Sequence, residues 1–189
     1  MRLETLGLSF LRKDKGCPVA LFERTPRARA GQPDILGVTN SRYLLEIEIK
    51  RSMSDFRANR QKSHIIWRDK LESPDCPAVV GFEMEREKAL KWFPKFYWFL
   101  VPQDIAMKVQ MALPTWAGLI SSEDGIWTKV IVEAPVNKFA AKLHPKEALM
   151  LGRLMSNQIW SFSDTIDCLQ GNRREFVGDE HESGMSVFI

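Results

Sequence analysis

The segment from Gln32 to Phe56 decides the fold, and it reads QPDILGVTNSRYLLEIEIKRSMSDF. Its second half alternates with a period of two, which is the pattern of a β-strand with two different faces. The apolar face carries three branched residues: Leu45, Ile47 and Ile49. The opposite face carries one leucine and three charged residues: Leu44, Glu46, Glu48 and Lys50. We therefore expect one face of this strand to pack in the core and the other to carry chemistry.

The residues before this strand predict a β-hairpin. Ile35 to Val38 has the composition of a short strand, and the polar residues 39–42 supply the turn into a second strand over Tyr43 to Lys50. Cross-strand partners in a hairpin keep a constant sum of residue numbers. A loop of about three residues therefore places Asp34 opposite Glu48.

Asp34 and Glu48 would then converge on one face of the sheet, with the ammonium group of Lys50 just beyond. Two carboxylates placed opposite each other repel, so the pair requires a compensating cation. Ligand sets made only of oxygen suit a hard ion such as Mg²⁺. The spacing predicts a Mg²⁺ site, with Mn²⁺ as a substitute.

The same residues resemble the signature of the PD-(D/E)xK nuclease superfamily, whose members carry a Pro-Asp, a hairpin and an acidic-x-Lys on the following strand. The matching residues are Pro33, Asp34, Glu48 and Lys50. The resemblance implies an α/β, restriction-endonuclease-like fold, with a mixed β-sheet of about four or five strands flanked by helices on both faces. It also implies Mg²⁺-dependent hydrolysis of phosphodiester bonds in nucleic acid, with DNA as the expected substrate.

A narrower resemblance is to the MmcB-like family of DNA-repair-associated PD-(D/E)xK proteins, and it spans roughly Leu8 to Phe162. Seven segments match that family in order: Glu23, Asp34, Glu48 to Lys50, residues 54–59, Phe96 to Pro102, Pro114 to Ile120 and Leu149 to Trp160. The sequence departs from the family at Asn59, at Gln61 and Lys62, and in a charged insertion from Glu83 to Trp92. The first two departures concern substrate contacts on the helix and leave the acidic pair and the lysine in place.

The superfamily resemblance implies a role for each site residue. Asp34 and Glu48 would bind Mg²⁺, with the carbonyl group of Ile49 and the side chain of Glu23 as further ligands. Lys50 would position the attacking water or help to deprotonate it.

Two other acidic residues have weaker claims to the site. Glu4 competes with Glu23 for the place of a third acidic ligand, but an isolated charge on an amphipathic helix is expected at the surface, so we rank Glu23 first. Glu46 lies on the same strand face as Glu48, where it either supports the site or is solvated. We favour solvation.

Positive charge is concentrated after the strand, because residues 50–70 hold seven lysines and arginines against two aspartates. A local excess of this kind suits a phosphate-binding face. The candidate nucleic-acid contacts are Arg29, Arg51, Arg57, Arg60 and Lys62. A charged face that serves only solubility explains the same pattern equally well.

The composition is that of an ordinary globular domain, with 189 residues, 44% hydrophobic, 27% charged and a net charge of +3. We expect one nuclease-like domain over residues 1–163 and a polar tail over residues 164–189. Three cysteines without a Cys-x-x-Cys, together with three histidines, argue against a disulfide framework and a zinc site. No apolar run approaches the ~20 residues of a membrane span and the N-terminus does not read as a secretory signal, so we expect a cytoplasmic protein.

The rest of the chain predicts an alternation of helices and strands. Helices are expected from Met1 to about Lys13, from Ser52 or Ser54 to about Leu71, from Gln103 to Met111, and from Pro145 to about Phe162. Strands are expected from Pro18 onward and over Ala78 to Phe82, Phe96 to Val101, Ala117 to Ile120 and Lys129 to Glu133.

Three interpretations of this sequence are open. The first is a metal-dependent nuclease, and many proteins of that fold form homodimers in order to cut both strands. The second is a DNA-binding or scaffold protein that keeps the nuclease fold without turnover. The third is an ordinary α/β domain whose alternating strand is merely amphipathic, which leaves the ordered downstream resemblance unexplained.

Overall fold

The computed structural model describes residues 2–22, 33–72 and 87–159. Several predictions lie outside these residues: Glu23, Arg29, the strand over 78–82, the end of the helix predicted to reach Phe162, and the tail over 164–189. The domain boundary predicted at residue 163 is therefore also outside the described residues.

The described chain forms an α/β fold around one open, mixed sheet with the strand order β1-β2-β3-β4-β5-β6. The strands are β1 Val19–Phe22, β2 Ile35–Val38, β3 Leu44–Ile49, β4 Phe96–Pro102, β5 Gly118–Glu123 and β6 Trp127–Val132. β3, β4 and β5 are parallel, whereas β1-β2, β2-β3 and β5-β6 pair antiparallel. The prediction of four or five strands was wrong, because antiparallel partners extend the parallel centre on both sides to six strands.

Five helices carry labels here: α1 Leu3–Ser9, α2 Met53–Arg60, α3 Ser63–Glu72, α4 Gln103–Met111 and α5, which covers residues 145–159. α1 continues into a π-helical turn over Phe10–Asp14, so the N-terminal helix predicted over residues 1–13 is not uniformly α-helical. Residues 87–90 are also helical. Of the helices in the described part of the chain, none combines the length and the apolar composition of a membrane span.

The single helix predicted from Ser52 to Leu71 is wrong, because the structure has two helices with a break between them. The amide of Asp55 donates a hydrogen bond to Oγ of Ser52, which caps the start of α2. At the other end, the amide groups of Gln61 and Lys62 bond to carbonyl groups three residues back, which is a tightened, 3₁₀-like ending. The chain then begins α3 at Ser63, and Lys62 lies in the break.

Helices cover both faces of the sheet, as predicted. Leu6, Phe10 and Leu11 of the N-terminal helical segment pack on the face that carries Ile47 and Trp98. The aromatic strand β4 alternates between the faces, since its odd-numbered residues belong to the opposite core. That second core contains Phe56 of α2, Ile65 of α3, Val109 of α4, Tyr97, Phe99 and Leu119.

The hairpin register confirms the sequence prediction. Ile35 pairs with Ile47 and Val38 with Leu44, so partners sum to the same value along the ladder. The turn places Arg42 at φ 66° and closes with a hydrogen bond from its amide to the carbonyl of Thr39. Continuing this register by one residue beyond β2 places Asp34 beside Glu48.

Gly118, at the start of β5, tests how tightly the sheet packs around Trp98. A methyl group at this position would overlap the indole of Trp98 and would lie 2.6 Å from the amide nitrogen of Ala134. We expect Gly118→Ala to lower the free energy of unfolding by about 1–3 kcal/mol in urea titrations. The added methyl group would force Trp98 or the neighbouring backbone to move, and such overpacking is destabilising. Gly152→Ala is the matched control, since no atom of the described residues lies within 4 Å of a methyl group there and the helix interior favours alanine. Equal stability of the two variants would contradict the packing described here.

Candidate functional site

The structure brings Asp34, Glu48 and Lys50 together at the carboxyl end of β3. The carboxylate Oδ2 of Asp34 accepts a hydrogen bond of 2.6 Å from the amide of Ile49, which fixes the acid against the strand. β3, β4 and β5 are parallel, so their carboxyl ends share one edge of the sheet. In open α/β sheets this edge is where ligands bind.

Glu48 is paired with two lysines. Its Oε1 accepts a hydrogen bond of 2.9 Å from Nζ of Lys50 and one of 2.8 Å from Nζ of Lys62. The side chains of Glu48 and Lys50 are each 5% exposed, whereas that of Lys62 is 45% exposed. Two ammonium groups therefore share one carboxylate oxygen, and only one of them is buried.

Asp55 also belongs to the site, although the sequence interpretation assigned it no role there. Its Oδ1 lies 3.7 Å from Nζ of Lys50, and its Oδ2 accepts a hydrogen bond of 3.3 Å from the amide of Arg51. Ser52 caps this turn of α2. The Ser-x-x-Asp spacing resembles a capping box, and that signal could have placed Asp55 near the end of β3.

Glu4 was expected at the surface, and the structure places it, 30% exposed, in the lining of the same site. Its Oε1 forms an ion pair with Arg51. Its Oε2 is buried and has no hydrogen-bond partner in the described part of the chain. The sequence could not show this, because α1 reaches the end of β3 only through packing between residues far apart in the chain.

These side chains surround an open pocket of about 290 Å³. Its lining is Glu4, Asp34, Glu48, Ile49, Lys50, Arg51, Asp55 and Lys62. The lining has one more carboxylate than it has cationic groups. Since each water occupies about 30 Å³ in the liquid, the pocket has room for a hydrated cation.

The pKa of Asp34 reflects its partial burial and the charges around it. Partial burial raises the pKa of its carboxyl above the usual range, and the negative charge of Glu48 raises it further. The hydrogen bond from Ile49 and the charges of Lys50 and Lys62 act in the opposite direction. Asp34 therefore lies where a further positive charge would be stabilising.

The donor set fits Mg²⁺ better than it fits a metal that requires a protein cage. Among residues 2–22, 33–72 and 87–159, no three acidic, histidine or cysteine side chains converge as a preformed metal group. Mg²⁺ usually keeps several waters and binds through one or two carboxylates together with substrate phosphates. Asp34 and Glu48 are two such carboxylates, and the contacts described above engage one oxygen of each.

Glu46 is buried rather than solvated, so the favoured interpretation of this residue was wrong. It is 5% exposed beneath the layer that contains Arg68, which is itself 1% exposed. Burial raises the pKa of Glu46 to about 7, and the positive charge of Arg68 only partly offsets this. Arg68 also lies against the ring of Trp116, at 4.3 Å from its centroid. The sequence pattern predicted that Glu46 lies on the charged face of β3. It could not predict that α3 covers this face.

The remaining predicted nucleic-acid contacts occupy different settings. Arg51 lines the pocket, and Arg57 is exposed on α2. Arg60 is held by Asp69 at 2.9 Å and donates to the carbonyl of Ala112 at 2.8 Å. The structure therefore gives Arg60 an internal role in holding α2 against α3 and α4.

No family model and no curated protein matches the chain. The structure is similar to that of a protein of unknown function from Silicibacter pomeroyi, with a TM-score of 0.50 and 20% sequence identity, covering 98% of this chain and 95% of that one. This similarity concerns the fold alone.

The buried carboxyl of Glu46 predicts a pH-dependent stability. Its pKa is about 7 in the folded protein against an ordinary value of 4.5, so the folded state binds more protons between these pH values. The free energy of unfolding should therefore fall as the pH rises from 4.5 to 7, by on the order of 1 kcal/mol per pH unit from this group. Urea titrations across this interval should show that the free energy of unfolding of Glu46→Gln increases relative to that of wild type as the pH rises.

The matched control for this measurement is Glu87→Gln, because Glu87 is exposed. It should leave the pH dependence of the wild type unchanged. If the free energy of unfolding changes with pH in the same way for wild type and Glu46→Gln, the burial of an ionisable carboxyl at this position is contradicted.

Proposed function

We propose that this protein is a Mg²⁺-dependent nuclease that hydrolyses phosphodiester bonds of nucleic acid, with DNA as the expected substrate. The observation that carries the proposal is the convergence of Asp34, Glu48 and Lys50 in one open pocket at the carboxyl end of β3. The resemblance of the same residues to the PD-(D/E)xK signature supports it. A restriction-endonuclease-like fold and a relation to the MmcB-like family are part of this proposal.

In this proposal Asp34 and Glu48 hold the metal ion, and the carbonyl group of Ile49 is a further ligand. Glu4 is now our first choice for a third acid, because it lines the pocket and its buried Oε2 has no hydrogen-bond partner among the described residues. Glu23 lies outside the described residues. When bound, Mg²⁺ supplies a Lewis acid for the phosphoryl oxygen and lowers the pKa of a coordinated water.

Lys50 orients the attacking water and offsets charge that develops on the phosphate. Its ammonium group is held by Glu48 at 2.9 Å and lies 3.7 Å from Asp55, so its position is fixed before substrate arrives. Preorganised charge of this kind stabilises a transition state without reorganisation. Arginine is a poor substitute, since its planar guanidinium fork does not reproduce the compact point charge of the ammonium group.

Phosphate contacts come from the cations around the pocket. Arg51 is 68% exposed and Lys62 is 45% exposed, so both can reach the backbone of a bound strand. Arg57 lies on the exposed surface of α2, which begins just beyond the site. These contacts position nucleic acid without reading its sequence.

A second candidate function is a DNA-binding or scaffold protein that has this fold but does not catalyse hydrolysis. The observation that favours it is the double pairing of Glu48, whose Oε1 accepts from both Lys50 and Lys62. A carboxylate neutralised in this way serves stability as well as catalysis. The two candidates differ in whether the metal-dependent cleavage rate is above background.

Lys50→Ala separates the nuclease from the scaffold. We expect cleavage of single-stranded or duplex DNA in Mg²⁺ to fall by about 10²–10³-fold, since the lost group acts on charge that develops in the transition state. Binding of the same DNA in Ca²⁺ should stay within several-fold of wild type. Lys108→Ala is the matched control, because Lys108 is an exposed lysine on α4 that does not line the pocket.

Circular dichroism of each variant must match that of wild type for this comparison to hold. Cleavage by Lys50→Ala at the wild-type rate would remove Lys50 from the mechanism. The absence of metal-dependent cleavage in the wild type, on single-stranded, duplex, nicked and branched DNA alike, would favour the scaffold.

A further inference from the structure

Glu48 has one more ammonium partner than its charge requires. Lys50 and Lys62 both donate to Oε1, at 2.9 and 2.8 Å. Lys50 is buried and is also placed by Asp55, so it is a fixed part of the site. Lys62 is 45% exposed, so its ammonium group can return to water at little cost.

The backbone of Lys62 is fixed even though its side chain is exposed. Its amide donates to the carbonyl of Asn59 at the end of α2, at 3.0 Å. Its carbonyl accepts from the amides of Ile65 and Ile66 in the first turn of α3, each at 3.0 Å. Any movement of the ammonium group is therefore confined to the flexible four-carbon stem, which keeps it at the rim of the pocket.

The charge of the pocket changes when Lys62 leaves. With Lys62 in place, the lining has one more carboxylate than cationic groups. Without it, the described part of the lining has four carboxylates against Lys50 and Arg51, so one divalent cation balances these groups. A cation between Asp34 and Glu48 attracts both carboxylates, whereas Lys62 forms its ion pair with Glu48.

We propose that Lys62 is a displaceable counter-ion, which pairs with Glu48 until a divalent cation binds and then moves to the rim of the pocket. This inference rests on the proposed function, because it takes Asp34 and Glu48 to be the metal ligands. At the rim, the ammonium group is placed to pair with a phosphate of the substrate. Lys62 thereby couples metal binding to the appearance of a phosphate contact.

The test is the affinity of the full-length protein for Mn²⁺ in the absence of nucleic acid, measured from free Mn²⁺ by electron paramagnetic resonance. Lys62→Met removes the competing charge and keeps a side chain of similar length, so the dissociation constant for Mn²⁺ should fall about tenfold. Lys62→Arg keeps the charge and should stay within about threefold of wild type. Lys108→Met is the control for the loss of an exposed lysine and should match wild type.

The outcomes distinguish this inference from the proposed function. If wild type binds Mn²⁺ and Lys62→Met binds it no more tightly, the counter-ion role is wrong and the metal site stands. If none of these proteins binds Mn²⁺, the counter-ion role is wrong, and the cleavage assay of the wild type still decides the proposed function. If Lys108→Met tightens binding as much as Lys62→Met, the effect is one of net charge and the specific role of Lys62 is overturned.

Discussion

The register of the β2–β3 hairpin is the constraint on which the rest of the site depends. Ile35 pairs with Ile47, so the next step of the ladder places Asp34 beside Glu48. Because side chains alternate between faces, a slip of one residue would send one acid into the apolar core. The register is held by the core itself, since Ile35 and Ile47 are both fully buried. Packing on one face of the sheet thus fixes the chemistry on the other.

Burying the charged face of β3 costs free energy of folding, because its charges lose their contact with water. Glu46 and Glu48 of β3, and Lys50 directly after it, are each 5% exposed or less, and all six residues of β3 are buried. Buried ion pairs are weak contributors to stability, because desolvation offsets most of the Coulomb attraction. These groups lie at the carboxyl end of parallel strands, which is the edge where ligands bind in open α/β sheets, and this position supports the proposed function. The open pocket over Glu48 and Lys50 is consistent with that function.

The site residues that lie close together in the sequence could be predicted, whereas those brought to the site by tertiary packing could not. The period of two and the constant index sum were enough to bring Asp34 and Glu48 together. They could not place Glu4, because α1 meets β3 through tertiary packing, nor could they show that α3 buries Glu46. The charge excess after β3 identified Lys62 and Arg60 alike, although one contacts Glu48 and the other is held by Asp69. That difference follows from the helix break, which the apolar pattern did not reveal.

The proposed function depends on a cation site formed by the acids at the end of β3. Its most direct test is a crystal of the full chain soaked in Mn²⁺ and measured with X-rays near the manganese absorption edge. The account predicts an anomalous peak within coordinating distance of carboxylate oxygens of both Asp34 and Glu48. The absence of a peak there in a fully soaked crystal, with Lys62 still paired to Glu48, would contradict it.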